Sequence, residues 1–406
     1  MKHSGLVWIS IAAILVCAST SSPHAQEAPP LHGYFRALPL HGSGNLSGAS
    51  SAAELAAAVV SSVPLWNYTQ IASRDRKTYK GMMVGRSPFF HGARTTNINA
   101  ILVPVKITFK SGGTVFDPDQ TDATCLPNGT VTATSLTQGS PILMRANFRM
   151  NGVDEEDTQY FDAFQRANFF DAVNSTGDSY HTLLDLTDTV SATVSIPASS
   201  GKVFSADSLG SCAPVGVMNV NTFQNIVEKT LIPGLAAQGV GPTNVPIFLL
   251  YNVVMSEGPP KGNTPTNCCI LGYHSAVQKS SRIQLYAVAD YDSSQAFEGS
   301  PPSGLNSAIL SHEIAELHDD PLGTNATPAW GNGVGQLPPG VCQKNLEVAD
   351  PLSGTFLPEV TMPNGITYDL QELAFYSWFF GAPSIGAGGL FSDNGSFTTD
   401  AGEICK

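Results

Sequence analysis

The chain is 406 residues long, 42% apolar and only 13% charged, with 33 acidic against 20 basic side chains and a net charge of −13. That length has room for two or three domains, or for one large domain with extensions. The acidic balance and the lack of any basic cluster argue against nucleic acid and anionic membrane surfaces as partners.

The first residues read Lys2, an apolar run from Leu6 to Val16, then small residues and a cleavage pattern ending at Ala25. This predicts a secretory signal over 1–25, with a cut after Ala18 as the other option. The run is too short to span a bilayer, and no later stretch is long and apolar enough. Val16 is too large for a lipoprotein signal at Cys17, so the mature chain is expected to be exported and free of a membrane span. Of seven cysteines, one is Cys17, leaving six: Cys125, Cys212, Cys268, Cys269, Cys342 and Cys405. An even number in an exported chain predicts disulfides, with fifteen pairings open. The working expectation is Cys125 with Cys212, Cys342 with Cys405, and a vicinal bridge at Cys268 and Cys269, although adjacent cysteines can equally serve two partners. None has C-x-x-C spacing, which argues against a cysteine-ligated zinc.

Residues 26–95 are rich in Pro, Gly, Ser and Ala, with a short helix predicted over 52–60 and a solvated patch at Arg74-Asp75-Arg76-Lys77. They read as an N-terminal extension, either a pro-segment or a packing arm. An ordered body is expected over 96–321. Ile101 to Phe109 is β-branched and bounded by Ser-Gly-Gly, which predicts a strand. Asp157 to Ala172 has apolar residues at helical spacing, Val190 to Ile196 alternates as a strand, and Asn221 to Leu235 is a second helix. Val245 to Met255, Cys269 to His274 and Ile283 to Ala289 supply three more strands. Residues 322–406 form an irregular C-terminal part.

After these strands comes Ser311-His312-Glu313-Ile314-Ala315-Glu316-Leu317-His318-Asp319-Asp320-Pro321. His312 and Glu316 are four apart, so both leave one helical face. This is the spacing by which an H-E-x-x-H helix offers two ligands to zinc with the intervening Glu as general base, here with a carboxylate as second ligand. Leu305, Ala308 and Ile309 on one side and Leu310, Ile314 and Leu317 on the other predict a buried helix. A buried Glu316 needs a cation or a proton. The bland reading is a salt-bridged carboxylate pair on an ordinary helix.

A catalytic tetrahedral site needs a third protein ligand. Glu347 is the preferred candidate, with Asp350 holding His312 by its free ring nitrogen. Asp319, seven after His312, returns to the ligand stripe and rivals Glu347; His318 points away and reads as a helix-end cap. His274 is a candidate donor to a substrate carbonyl or oxyanion, against the bland reading of a satisfied structural histidine. The element order is that of the upper half of a zincin. There a twisted mixed sheet is backed by helices, the motif helix underlies the cleft, and an edge strand pairs with extended peptide.

Cys268-Cys269 with Gly272-Tyr273-His274, the Ser311-His-Glu-Ile-Ala-Glu run ending in Asp320-Pro321, Trp330, Glu347-Val-Ala-Asp350 and Tyr368-Asp-Leu with Ser377-Trp378-Phe379 follow one another over about 245–380. This layout resembles the EXORDIUM-like (phosphate-induced) secreted proteins and their bacterial relatives. The resemblance implies an exported α+β protein with a zincin-like domain. It places His312, Glu313 and Glu316 on the signature helix and Glu347 and Asp350 on the second motif. The chain departs from that pattern in having Cys342 before Glu347 rather than a cysteine after Asp350.

The expectation is thus a secreted zinc hydrolase, foremost a metallopeptidase, with Zn2+ on His312, Glu316 and Glu347 and Glu313 as general base for attack on a peptide or protein substrate. The alternative is a non-catalytic zincin-like module that binds a cell-surface polymer or protein. The oligomeric state is left open.

Overall fold

The computed structural model describes residues 31–36, 38, 60–61, 63–126, 129–176, 179–262, 265, 267–279, 282–297, 306–381, 383–402 and 405. The leader expected over 1–25, Leu305, and the helix expected over 52–60 (Val60 apart) lie outside them. The chain is α+β, with a curled mixed sheet at its centre.

The extension over 26–95, for which only a short helix was expected, holds a hairpin, β1 (Leu65–Ile71) antiparallel to β2 (Thr78–Val84). Asn67, Thr69 and Ile71 are exposed, while Tyr68 is buried and meets the ring of Tyr376 with centroids 5.3 Å apart. At the hairpin turn, Arg74 is not merely solvated. Its guanidinium donates to the carbonyls of Ala329, Phe379 and Gly402, clasping the C-terminal part.

The longest strand is β3 (Arg94–Phe109). Ala100 and Leu102 feed one apolar core while Ile101, Val103 and Val105 feed another, so both faces of this strand are covered. β3 is parallel to β4 (Tyr180–Thr189) and β5 (Ala192–Ile196), and also to β6 (Val245–Tyr251). The run expected as one strand from Val245 to Met255 breaks at Asn252, whose φ is 50°. Asparagine tolerates that left-handed conformation. Its Oδ1 accepts from the Ser293 N–H at 2.8 Å, and β7 (Val253–Ser256) leaves for a second, four-stranded sheet. The Cys269 to His274 run divides in the same way, into β8 (Cys268–Ile270) in the second sheet and β9 (Gly272–Lys279) in the first. β9 pairs antiparallel with β10 (Arg282–Tyr291), and β10 is parallel to β6.

Helices cover both faces. Residues 220–234 run on through Val220–Ile226, Val227–Leu231 and Ile232–Gly234 as α2, with Phe223, Val227, Leu231 and Ile232 in the second core. The first helix, α1 (Tyr160–Asn168), starts later than expected because Val153–Thr158 is a strand. It shares the first core with α3 (Ala308–Asp319), the motif helix. All 12 residues of α3 are buried, as its all-round apolar surface predicts. Past α3 the chain forms the pair β11 (Ala326–Gly331) and β12 (Cys342–Asn345), and then mostly loops.

The three expected disulfides are present: Cys125–Cys212, Cys342–Cys405 and the vicinal Cys268–Cys269, across a cis peptide. Among the described residues no helix is long and apolar enough to cross a membrane.

Candidate metal centre

Two imidazoles and four carboxylates meet in the interior between α3, β9 and the segment after β12. α3 supplies His312, Glu313 and Glu316, β9 supplies His274, and the segment after β12 supplies Glu347 and Asp350. All six are buried.

The hydrogen bonds fix both ring orientations. Gln371 donates through Nε2 to the carbonyl of Ala349 at 2.7 Å, so its Oε1 is the atom facing His312 Nδ1 at 3.0 Å. Nδ1 therefore carries a proton, and in the neutral ring Nε2 presents a lone pair. That lone pair faces Glu316 Oε2 at 3.1 Å and Asp350 Oδ1 at 3.5 Å. On the other side, His274 Nε2 donates to the carbonyl of Asp320 at 3.1 Å. Its Nδ1 lone pair then faces Glu313 Oε2 and Glu316 Oε2, each at 3.6 Å. Burial pushes His274 down to about 3, so it is neutral at pH 7. A lone pair aimed at a carboxylate oxygen is repulsive unless a cation or a proton lies between them.

Four atoms of the cluster are left without hydrogen bonds among the described residues, His274 Nδ1, His312 Nε2 and both oxygens of Glu313, while the carboxyls of Glu316 and Glu347 are hydrogen-bonded to each other. Burial drives the carboxyls of Glu313, Glu316 and Glu347 well above the usual carboxylate range, and repulsion from the other acids adds to each. A divalent cation relieves all of these strains at once. The ligand-atom spacing fits one as well, since four ligands about 2.0–2.2 Å from zinc stand roughly 3.3 Å apart. His312, Glu316 and Asp350 thus form a group that can hold a metal ion, as do His274, Glu313 and Glu316, with Glu316 common to both.

The placement of each expected residue differs in detail. Asp350 was assigned to the free nitrogen of His312, but Gln371 takes that nitrogen and Asp350 stands on the ligand side. Glu347 lies at the far edge: its Oε1 accepts from Asn345 Nδ2 at 2.6 Å and its Oε2 is 3.8 Å from His274 Nε2. Asp319 is turned away, because Gln165 on α1 donates to its carboxylate, and it belongs to neither group. His274 cannot offer a proton to a substrate oxygen in this arrangement, since its one N–H is given to Asp320 and the other nitrogen is an acceptor. His318 bonds the Ile314 carbonyl and packs on Phe161, as a helix-end residue.

Several neighbours hold the cluster in shape. Glu316 Oε1 accepts the N–H groups of Ala349 and Asp350 at 3.3 and 3.2 Å, clamping that loop on α3. Gln336 donates to Asp350 Oδ1. Gly272 makes room for Glu313: a Cβ there would stand 2.7 Å from Glu313 Oε1 and 2.9 Å from the Val288 carbonyl. Trp330 Nε1 donates to the Asn345 carbonyl at 2.9 Å, fixing the residue that orients Glu347. Gln371, Gln336 and Phe35 escape sequence reasoning; Gln371 directly follows Tyr368-Asp-Leu, the one local signal that marks it.

Fold and site together define an α+β chain with a buried histidine–carboxylate cluster suited to a cation. No protein-family model matches the chain, and neither a curated protein nor a solved structure does.

Proposed function

We propose that the chain is an exported metal-dependent hydrolase, foremost a metallopeptidase, with a zincin-like catalytic layout. The cation rests on His312, Glu316 and Asp350, with Glu347 beside them. The observation that carries this reading is the pair of buried imidazole lone pairs aimed at carboxylate oxygens. Imidazole nitrogen with carboxylate oxygen suits zinc, and also manganese or iron. When bound, such an ion supplies a Lewis acid and an acidified water.

The chain's own residues do the rest. Glu313, next to His312 on α3 and with both oxygens free of hydrogen bonds among the described residues, takes the proton of the attacking water and passes it to the leaving amine. Gln371 holds His312 in the tautomer that leaves Nε2 unprotonated. Support for the zincin-like layout comes from the sheet, whose edge strand β9 runs antiparallel to parallel neighbours and carries His274 beside the motif helix. The resemblance to EXORDIUM-like secreted proteins and the secretory leader belong to the same reading; three disulfides agree with an oxidising compartment.

A second reading is a non-catalytic zincin-like module that binds a cell-surface polymer or protein, its metal structural or absent. It draws on the complete burial of the cluster. Metal analysis of the purified chain and the variant Glu313→Gln separate the two. The hydrolase keeps its metal and loses turnover in that variant, whereas a binding module is indifferent. Less than about half an equivalent of metal, without exposure to chelator, overturns the hydrolase reading and favours the binding module.

A further inference from the structure

What seals the cluster is the chain's own N-terminal segment. Residues 31–36 run as an added strand along the outer side of β8. The Cys269 N–H donates to the His32 carbonyl at 3.0 Å, the Tyr34 N–H to the Cys269 carbonyl at 2.8 Å, and the Leu271 N–H to the Tyr34 carbonyl at 2.9 Å. Tyr34 is thus bridged parallel to Ile270, the pattern by which a foreign peptide joins a sheet edge. Gly33 lets the two backbones close up, since a Cβ there would lie 2.6 Å from Leu271 Cδ1.

The next residue reaches the chemistry. The ring of Phe35 lies flat on the His312 imidazole, with centroids 3.5 Å apart and planes 16° apart. Gln336 binds both backbone groups of Phe35: its Oε1 accepts the N–H at 2.7 Å and its Nε2 donates to the carbonyl at 3.1 Å. The same Nε2 also donates to Asp350, so one side chain ties the segment to the cation group. Beside Phe35 is a cavity of about 250 Å³, lined by Leu271, Phe297, Ala308 and Phe356 among others and reaching Gln371.

Backbone pairing on one side, a side chain reading N–H and C=O together, and an aromatic ring on a cluster histidine are the marks of a peptide site. We propose that this channel is a peptide-binding groove: it takes an extended peptide parallel to residues 269–271 with an aromatic side chain on His312, and residues 31–36 are its resident occupant. The inference rests on reading the cluster as a centre that acts on peptide. It adds the substrate class, an extended segment with an aromatic residue, and a closed state held by the chain itself.

The test uses the full chain and a fluorescein-labelled hexapeptide Leu-His-Gly-Tyr-Phe-Arg, read by fluorescence anisotropy. Phe35→Ala weakens the internal occupant, so the variant is expected to bind the hexapeptide at least about tenfold more tightly than the unaltered chain. Replacing Phe by Ala in the hexapeptide should abolish that gain. Gly33→Val, which collides with Leu271, should open the groove from the other end. A folded Phe35→Ala chain that binds no more tightly than the unaltered one overturns the proposal. If neither variant folds, amide exchange of the unaltered chain decides. The Cys269 and Leu271 amides should exchange through local release faster than those of β6, and equal protection at the two places overturns the proposal. Metal content is measured on the same samples. Its absence would sink the hydrolase reading while leaving the peptide-binding result to stand or fall separately.

Discussion

Replacing Gln371 by Met strips two hydrogen bonds from the cluster while leaving the volume nearly unchanged. The Nδ1–H of His312 loses its acceptor at 3.0 Å and the Ala349 carbonyl its donor at 2.7 Å, both in the interior. Each orphaned buried group costs about 1–3 kcal/mol, so the metal-free chain should lose about 2 kcal/mol or more of stability. The effect on the ion is separate. With Nδ1 no longer held, the proton can move to Nε2 and remove the lone pair that faces Glu316 and Asp350. Loss of such an orienting partner weakens metal binding about 10–100-fold, or about 1.4–2.7 kcal/mol. Competition with a chromophoric zinc chelator measures this, with the thermal transition of the metal-free protein recorded alongside. Gln371→Glu keeps an acceptor for His312 and should restore most of the affinity. A Gln371→Met chain that holds zinc within twofold of the parent refutes the assignment of the tautomer, and with it the argument for a cation.

Asp350→Asn should reduce metal stoichiometry or affinity more than Glu347→Gln, because Asp350 stands on the His312 group and Glu347 beyond it; equal losses, by metal analysis after dialysis, would count against the ligand set. Gly272→Ala should displace Glu313 from its place over β9, lowering any peptidase turnover while metal content holds, and cost about 1–3 kcal/mol by overpacking. Asp292, buried beside Asp290, is pushed up to about 6 by burial. A folded value above the unfolded one near 3.8 gives stability that is complete below pH 4 and lost as pH rises through 6, on the order of 3 kcal/mol. Asp292→Asn should flatten the denaturant midpoint across that window, and an unchanged slope refutes the point. Opening the Cys125–Cys212 bridge, which spans 87 residues, by paired Ser replacement should cost about 4–5 kcal/mol in the chain-entropy account, seen as a large fall in Tm.

How much of this was legible in the residues depends on the range of the interaction. The α3 helix, its burial and the shared face of His312 and Glu316 follow from a period of 3.6 and an apolar surface all round. The strands of the central sheet follow from β-branched runs, although not the break at Asn252, which a single left-handed residue decides. The hairpin at 65–84 departs from strict alternation: Tyr68 alone is buried in its first strand, whereas Gly81 to Val84 are buried in a row in its second.

The sequence by itself determined the centre of the candidate site: a buried helix that presents an imidazole and a carboxylate one turn apart, in a chain with six cysteines besides Cys17. Only the tertiary structure decided which groups meet there. Gln371, Asp350, His274 and Phe35 lie between 38 and 277 positions from His312 in either direction, and no local periodicity constrains how such distant side chains are turned. That Asp350 takes the ligand side, that His274 shows a lone pair rather than a proton, and that Phe35 closes the site are consequences of burial and hydrogen-bond satisfaction, which exist only once the chain has folded.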